Sequence, residues 1–274
     1  MQSFTRVIPK QKCEDWPLKL SKMMELYHEA EYQTVKKDIR KAAIIPLYPE
    51  NLDKSLEKFN KDGLIFIPTW KIKTGESFSF KIKPLKPGEA FYWSGYLVKT
   101  KKDGEILKKA NQKHNHKIIG RMLGYPDCCI EYFIKNFPVN YDPIWVNLKG
   151  KVFGYPECNG MLRYFGPKIV AHYSCSPACE STRKIGKAWF KIMMEIDKDL
   201  AKELYNLLAG PMTWNSYHGV VQVETPYFIG LVNSFPFVEK AKIIDWEGEK
   251  AEKKKTGDKP VSRKKKSKKK NNLN

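Results

Sequence analysis

Five of the six cysteines lie between positions 128 and 179, each beside a proline at what reads as a helix entrance. Backbone N–H groups without partners and the positive end of the helix dipole gather at such an entrance, and they favour thiolate over thiol. Thiolate is the form that ligates metal or attacks an electrophile. With Pro126, Pro156 and Pro177 each at a first helical position, Cys128, Cys158 and Cys179 become the third residue of their helices. Cys129 is then fourth, and Cys175 stands just before the Ser176 cap.

Cys175 and Cys179 form C-x3-C, a spacing compatible with a zinc site. Cys128 and Cys129 are adjacent, and neighbouring helical residues diverge by about 100°. One of that pair is therefore expected to ligate while the other packs in the core. A histidine would complete the set. His172 lies three residues before Cys175, and His218 sits in WNSYHG; His114 falls on an apolar helical stripe. The metal reading uses Cys128, Cys129, Cys175, Cys179 and His172 around zinc or iron, with His218 and Arg183 as catalytic candidates. Two other readings stay open: small buried hydrophobes at helix corners, and a thiol nucleophile or redox pair. Position 182 is Thr, so the C-x3-C-x2-C iron–sulfur spacing is absent.

The elements that must position these groups follow from periodicity. GYPDC at 124–128 recurs as GYPEC at 154–158, which predicts one helix-to-helix corner used twice. Helices are expected over 14–42, 51–60 and 104–122, from Asp127 to near Pro138, and from Pro177 to Gly210. Gly124 suits the left-handed position past a helix end. LIFIP at 64–68, SFSFKIK at 77–83 and FYWSGYLVK at 91–99 have strand composition, and GVVQVETPYFIGLV offers two strands flanking Thr225-Pro226. The fold class is thus α+β: an N-terminal mixed region (1–103) with a small antiparallel sheet, a helical Cys/His region with a strand pair (104–248), and a basic tail (249–274).

A chain of 274 residues can bury an independent core. No apolar run approaches the roughly 20 residues that span a bilayer, and no secretory signal opens the sequence, so a cytoplasmic protein is expected. Reduced thiols or metal ligands fit that compartment better than disulfides. The net charge is +20, and from Lys250 to Asn274 eleven Lys and one Arg face only Glu252 and Asp258. So charged and so poor in apolar residues, this tail is expected to be disordered and is a candidate arm for RNA or DNA. Asp127 and Glu131 would meet phosphates if the helix after the first GYP docked as a recognition helix. Walker, dinucleotide-binding, G-x-S-x-G and H-E-x-x-H motifs are all missing.

LGYPDCCIEYF, SCSPACESTRKIG and TWNSYHGVVQVETPYF, in that order, resemble an uncharacterised, mainly archaeal family of unknown function. The likeness covers roughly residues 114–230. It implies that Cys128, Cys129, Cys175, Cys179, His218, Thr225 and Pro226 belong together; Asn159 replaces the second Cys in the later GYP copy, which sets Cys158 apart. It supplies no reaction. Three functions follow from the residues: a metal-dependent enzyme, a nucleic-acid-binding module with a structural metal, and a metal-free scaffold.

Overall fold

A computed structural model describes residues 5–73, 85–140, 148–217, 220–233 and 242–248. The strand expected at 77–83, His218 and the basic tail lie outside the described residues. What is described is a mixed α+β protein with seven α-helices and two sheets.

Strand β1 (Thr5–Pro9) leads into helix α1 (Trp16–Lys36), whose Trp16, Leu20, Met23, Tyr27 and Ala30 recur every three or four residues and are buried. The helix is shorter than the expected 14–42. Asp38 adopts a positive φ and Ile39 N–H returns to the Thr34 carbonyl, so the chain turns into a strand and leaves Ile39 exposed. That strand, β2 (Ala42–Leu47), is followed by α2 (Leu52–Lys61), β3 (Ile65–Lys73) and β4 (Phe91–Val98). The three strands form an antiparallel sheet in the order β2-β4-β3. Ala43, Ile45 and Leu47 of β2 pack with Tyr32, Val35 and Phe59. On the opposite face, Ala42, Tyr96 and Val98 meet Leu107, Met122 and Leu123.

The helix expected over 104–122 is two helices, α3 (Lys101–Gln112) and α4 (His116–Met122). His114 stands between them at a φ of 49°, and the Asn115 side chain caps α4 by accepting the Ile118 N–H. The break takes His114 off the apolar stripe and into solvent, neither core nor ligand. Helix α5 (Asp127–Asn140) follows, then strand β5 (Gly150–Gly154).

The long helix expected from Pro177 to Gly210 is also divided, into α6 (Glu180–Ile196) and α7 (Lys198–Ala209). Asp197 ends the first with extended backbone and caps the second, its Oδ1 accepting the Leu200 N–H at 3.0 Å. A short acidic side chain satisfies an unpaired N–H here better than a continued turn would. Asp197→Ala should cost about 1 kcal/mol of stability, read as a lower urea midpoint at unchanged slope.

Strands β6 (Met212–Tyr217), β7 (Val220–Glu224), β8 (Phe228–Asn233) and β9 (Lys242–Gly248) complete a six-stranded sheet, ordered β1-β8-β7-β6-β9-β5. Only the β5–β9 pairing is parallel. The expected strand pair around Thr225-Pro226 is β7 and β8; Thr225 Oγ1 holds their turn by accepting the Tyr227 and Phe228 N–H groups. Val221 and Val223 are buried while Gln222 and Glu224 are exposed, so one face of the sheet supplies the main core against α1, α6 and α7.

Candidate metal centre

The two GYP segments take different shapes. At the first, Gly124 has a φ of 73°. Its N–H goes to the Arg121 carbonyl and the Tyr125 N–H to the Gly120 carbonyl, the paired bonds of a Schellman cap on α4. Pro126 is the cap of α5, its carbonyl accepting the Ile130 N–H, so Cys128 and Cys129 are the second and third helical residues. Arg121 clasps Asp127 across the corner with Nε and Nη2 at 2.8 and 3.1 Å.

The second copy is not a helix-to-helix corner. Gly154 ends β5 in extended backbone, and Pro156–Cys158 makes only a short 3-10 turn. Its job is to dock the C-x3-C segment. The Tyr155 N–H donates to the Pro177 carbonyl at 3.0 Å, and a Cβ on Gly154 would lie 2.5 Å from that oxygen. Spending the Pro177 carbonyl on Tyr155 also moves the start of α6. Cys179, not Ser176, is the cap, with its sulfur accepting the Thr182 N–H at 3.4 Å. Cys179 therefore precedes the helix it was expected to enter.

These placements bring four sulfurs together. The Sγ atoms of Cys128, Cys129, Cys175 and Cys179 all lie within 4.8 Å of one another. Cys128 to Cys129 is 3.9 Å, Cys128 to Cys179 is 3.8 Å and Cys129 to Cys179 is 3.7 Å. The expected split of the adjacent pair, one ligating and one in the core, does not occur. In the first turn of a helix both side chains lean toward the N-terminus, where the C-x3-C turn is waiting. Metal–thiolate bonds of about 2.3 Å place tetrahedral sulfurs about 3.8 Å apart. Four cysteines at this spacing could chelate one metal ion.

Backbone and hydroxyl groups surround the sulfurs. The Cys175 N–H points at the Cys129 sulfur, 3.4 Å away, as the Thr182 N–H does at Cys179. The Thr182 hydroxyl lies 3.2 Å from the Cys129 sulfur and 2.9 Å from His172 Nε2. Were Cys129 a metal-bound thiolate it could only accept, and the hydroxyl would then donate to it and receive the His172 N–H. Burial, with Arg163 and Arg40 nearby, drives the His172 imidazole down to about 3, so it is neutral. His172 thus orients Thr182 and is a step removed from the sulfurs. Burial raises Cys129, and burial together with Cys179 pushes Cys175 up to about 12. At Cys179 burial is outweighed by the hydrogen bonds from Thr182, and its thiol falls below the ordinary value. A cation at the centre would supply the charge that ionises the rest.

Comparison with family models, curated proteins and solved structures finds no match. The site is therefore read from its own atoms.

Cys158 stays outside the four. Buried and pushed up to about 12, chiefly by desolvation, it keeps its proton and donates it to the Cys179 carbonyl at 3.5 Å. Arg183 stacks 4.0 Å over the Tyr155 ring and approaches Glu180 at 3.6 Å, while the Tyr155 hydroxyl donates to the same carboxylate oxygen. Cys13 belongs to the main core, next to α1.

Sequence reasoning missed Thr182 and Tyr125. Thr182 had a legible signal, being three residues past Cys179 and so on its turn. Tyr125 had none beyond its place inside GYP.

Proposed function

We propose that this protein is a metalloprotein holding one tetrahedral ion, zinc before iron, between Cys128, Cys129, Cys175 and Cys179. The observation that carries this reading is the set of sulfur separations of 3.7, 3.8 and 3.9 Å among Cys128, Cys129 and Cys179, which match the edges expected of a single-ion tetrahedron, with Cys175 within 4.8 Å of all three. A multi-iron cluster would hold its thiolates around a larger core. Zinc and mononuclear iron both accept four thiolates, and zinc is the common occupant of closed sites.

A closed four-thiolate shell leaves no open position, so the ion's work is to join chain segments. It would tie the start of α5 to the turn that starts α6. The test is elemental analysis of protein purified without an affinity tag. About one equivalent of zinc or iron is expected, lost in Cys129→Ser and kept in Cys13→Ser and Cys158→Ser. A metal-free wild type, purified aerobically and anaerobically, contradicts the proposal.

A catalytic reading has one observation in its favour: Cys128 is exposed while Cys129 and Cys179 are buried. It is then the ligand a substrate could displace, with Arg183 and His218 as candidates nearby in function. The nucleic-acid reading draws on the charge of +20. Removing residues 250–274 should abolish RNA binding at low salt and flatten its salt dependence if the tail is the arm. Retained affinity would move the interface to the folded part.

A further inference from the structure

The β2-β4-β3 sheet packs one face against α1 and α2, but its other face is covered only at one end. There α3 and α4 sit over Ala42, Tyr96 and Val98. Gly104 of α3 lies against Ile67 and Val98, and the Tyr96 hydroxyl reaches Asn111 at 3.5 Å. Two residues along the strands, about 7 Å further on, the same face carries Pro46, Ser94 and Trp70 side by side. The next row holds Tyr48, Tyr92 and Ile72. Trp70 is 39% exposed and Tyr48 38%, and Tyr92 tilts onto Tyr48 with centroids 5.5 Å apart. No ring or cation of the described residues covers Trp70.

A bulge puts Trp70 there. Strands β3 and β4 pair in register as far as Pro68 opposite Gly95, then resume with Trp70 opposite Ser94. Thr69 is the extra residue, and its hydroxyl donates to the Ser94 carbonyl at 2.7 Å. In unbroken pairing Trp70 would stand opposite Trp93, on the side packed against α1 and α2. Bulges are typical of places where a sheet re-aims a side chain for use.

The helix on this face adds charge. α3 turns Lys101, Lys102, Lys108 and Lys109 to solvent, with Glu105 the exposed carboxylate among them. None of these four lysines has an ion-pair partner among the described residues. Lys36, Lys37, Lys58 and Lys99 are by contrast each matched to a carboxylate. Exposed rings on a sheet face beside unmatched cations suit an unpaired nucleic-acid strand: bases stack on the rings whatever their sequence, and phosphates meet the cations. A duplex keeps its bases stacked inside and gains only the charge attraction. A lipid surface fits less well, because membrane anchoring buries a whole apolar face and these rings are already more than half covered.

We infer that the open end of this sheet face binds single-stranded nucleic acid, with bases stacked on Trp70, Tyr48 and Tyr92 and phosphates drawn to the lysines of α3. This deepens the nucleic-acid reading, on which it rests, by placing base contact on the folded part and leaving the tail to add charge. The metal plays no part in it.

The experiment titrates the full chain, at physiological salt, with a short oligouridine, an RNA duplex, heparin and phosphatidylserine vesicles. Oligouridine should bind more tightly than the duplex. Trp70→Ala should weaken oligouridine about tenfold and leave heparin unchanged, and Tyr48→Ala should act in the same direction. Trp70→Phe, which keeps a ring, should retain most of the affinity, and this separates lost stacking from lost folding. Lys108→Glu with Lys109→Glu should weaken every polyanion and flatten the salt dependence. Ultraviolet crosslinking should join oligouridine to peptides that hold Trp70 or Tyr92. Equal affinity in Trp70→Ala, crosslinks confined to residues 250–274, or a ring-dependent affinity for vesicles in place of RNA each overturns the inference and leaves the arm standing. A wild type that binds no oligouridine overturns both.

Discussion

Cys129→Ser should leave the protein with less than about half an equivalent of metal and lower its melting temperature by more than about 10 °C. Cys128 and Cys129 come from α5, whereas Cys175 and Cys179 come from a turn held by Tyr155. The segments share little apolar contact at this point beyond Cys158 and Tyr155. An ion bound only in the folded chain adds its binding free energy to folding, of order 10 kcal/mol in small zinc domains. Serine at this site is a hard, protonated donor that replaces a thiolate poorly. Cys158→Ser is the informative control, because Cys158 is equally buried and touches Cys179 without being one of the four clustered sulfurs. Chelation of the wild type should reproduce the melting loss, whereas the same chelator should leave Cys129→Ser unmoved.

Arg40→Met should destabilise by about 3–5 kcal/mol, and Glu31→Leu by a comparable amount, while the double variant recovers most of the loss. Both side chains are almost fully enclosed. Arg40 Nη2 reaches Glu31 Oε1 at 3.0 Å, its Nε donates to Thr34 Oγ1 at 2.6 Å, and its guanidinium lies 4.3 Å over Trp189. Removing either partner leaves an enclosed charge uncompensated; removing both leaves a space that Leu and Met can fill. The pH dependence has a definite sign. Burial works to raise the Glu31 carboxyl, but His28 and Arg40 hold it below its ordinary value. A depressed carboxylate contributes stability above its unfolded value of about 4.3, lost as pH falls through the folded value. In Arg40→Met the same carboxyl prefers its proton. The gap between wild type and variant, measured by urea unfolding, should therefore begin to narrow above about pH 4.3, where the variant's carboxyl takes its proton, and go on narrowing below it as the wild type loses its ion pair. A gap constant across that range would deny Arg40 its role as the partner of Glu31.

Much of this was legible in the residues, for physical reasons that also mark where it stopped. Glycine past a helix end and proline at its entrance are local signals, and Gly124 and Pro126 behave as read, Pro126 within one position. The convergence of Cys128, Cys129, Cys175 and Cys179 was expected in outline from helix entrances. The misreadings come from groups whose hydrogen bonds go to distant partners. Asp197 and Asn115 cut helices whose apolar stripes run on unbroken. GYPEC copies the letters of GYPDC, yet Gly154 lies in a strand paired with β9, a contact that no local pattern announces. Pro177 gives its carbonyl to Tyr155, and so Cys179 becomes a cap. His172 was placed near the sulfurs by spacing, but its nitrogen goes to Thr182, a residue the periodicity treats as an ordinary first-turn threonine.

X-ray absorption at the edge of the metal found in untagged protein tests the central claim most directly. The account predicts a first shell of four sulfurs at about 2.3 Å, with no nitrogen or oxygen contribution and no second metal beyond it. A shell with histidine nitrogen or water oxygen, or a short metal–metal distance, would contradict it.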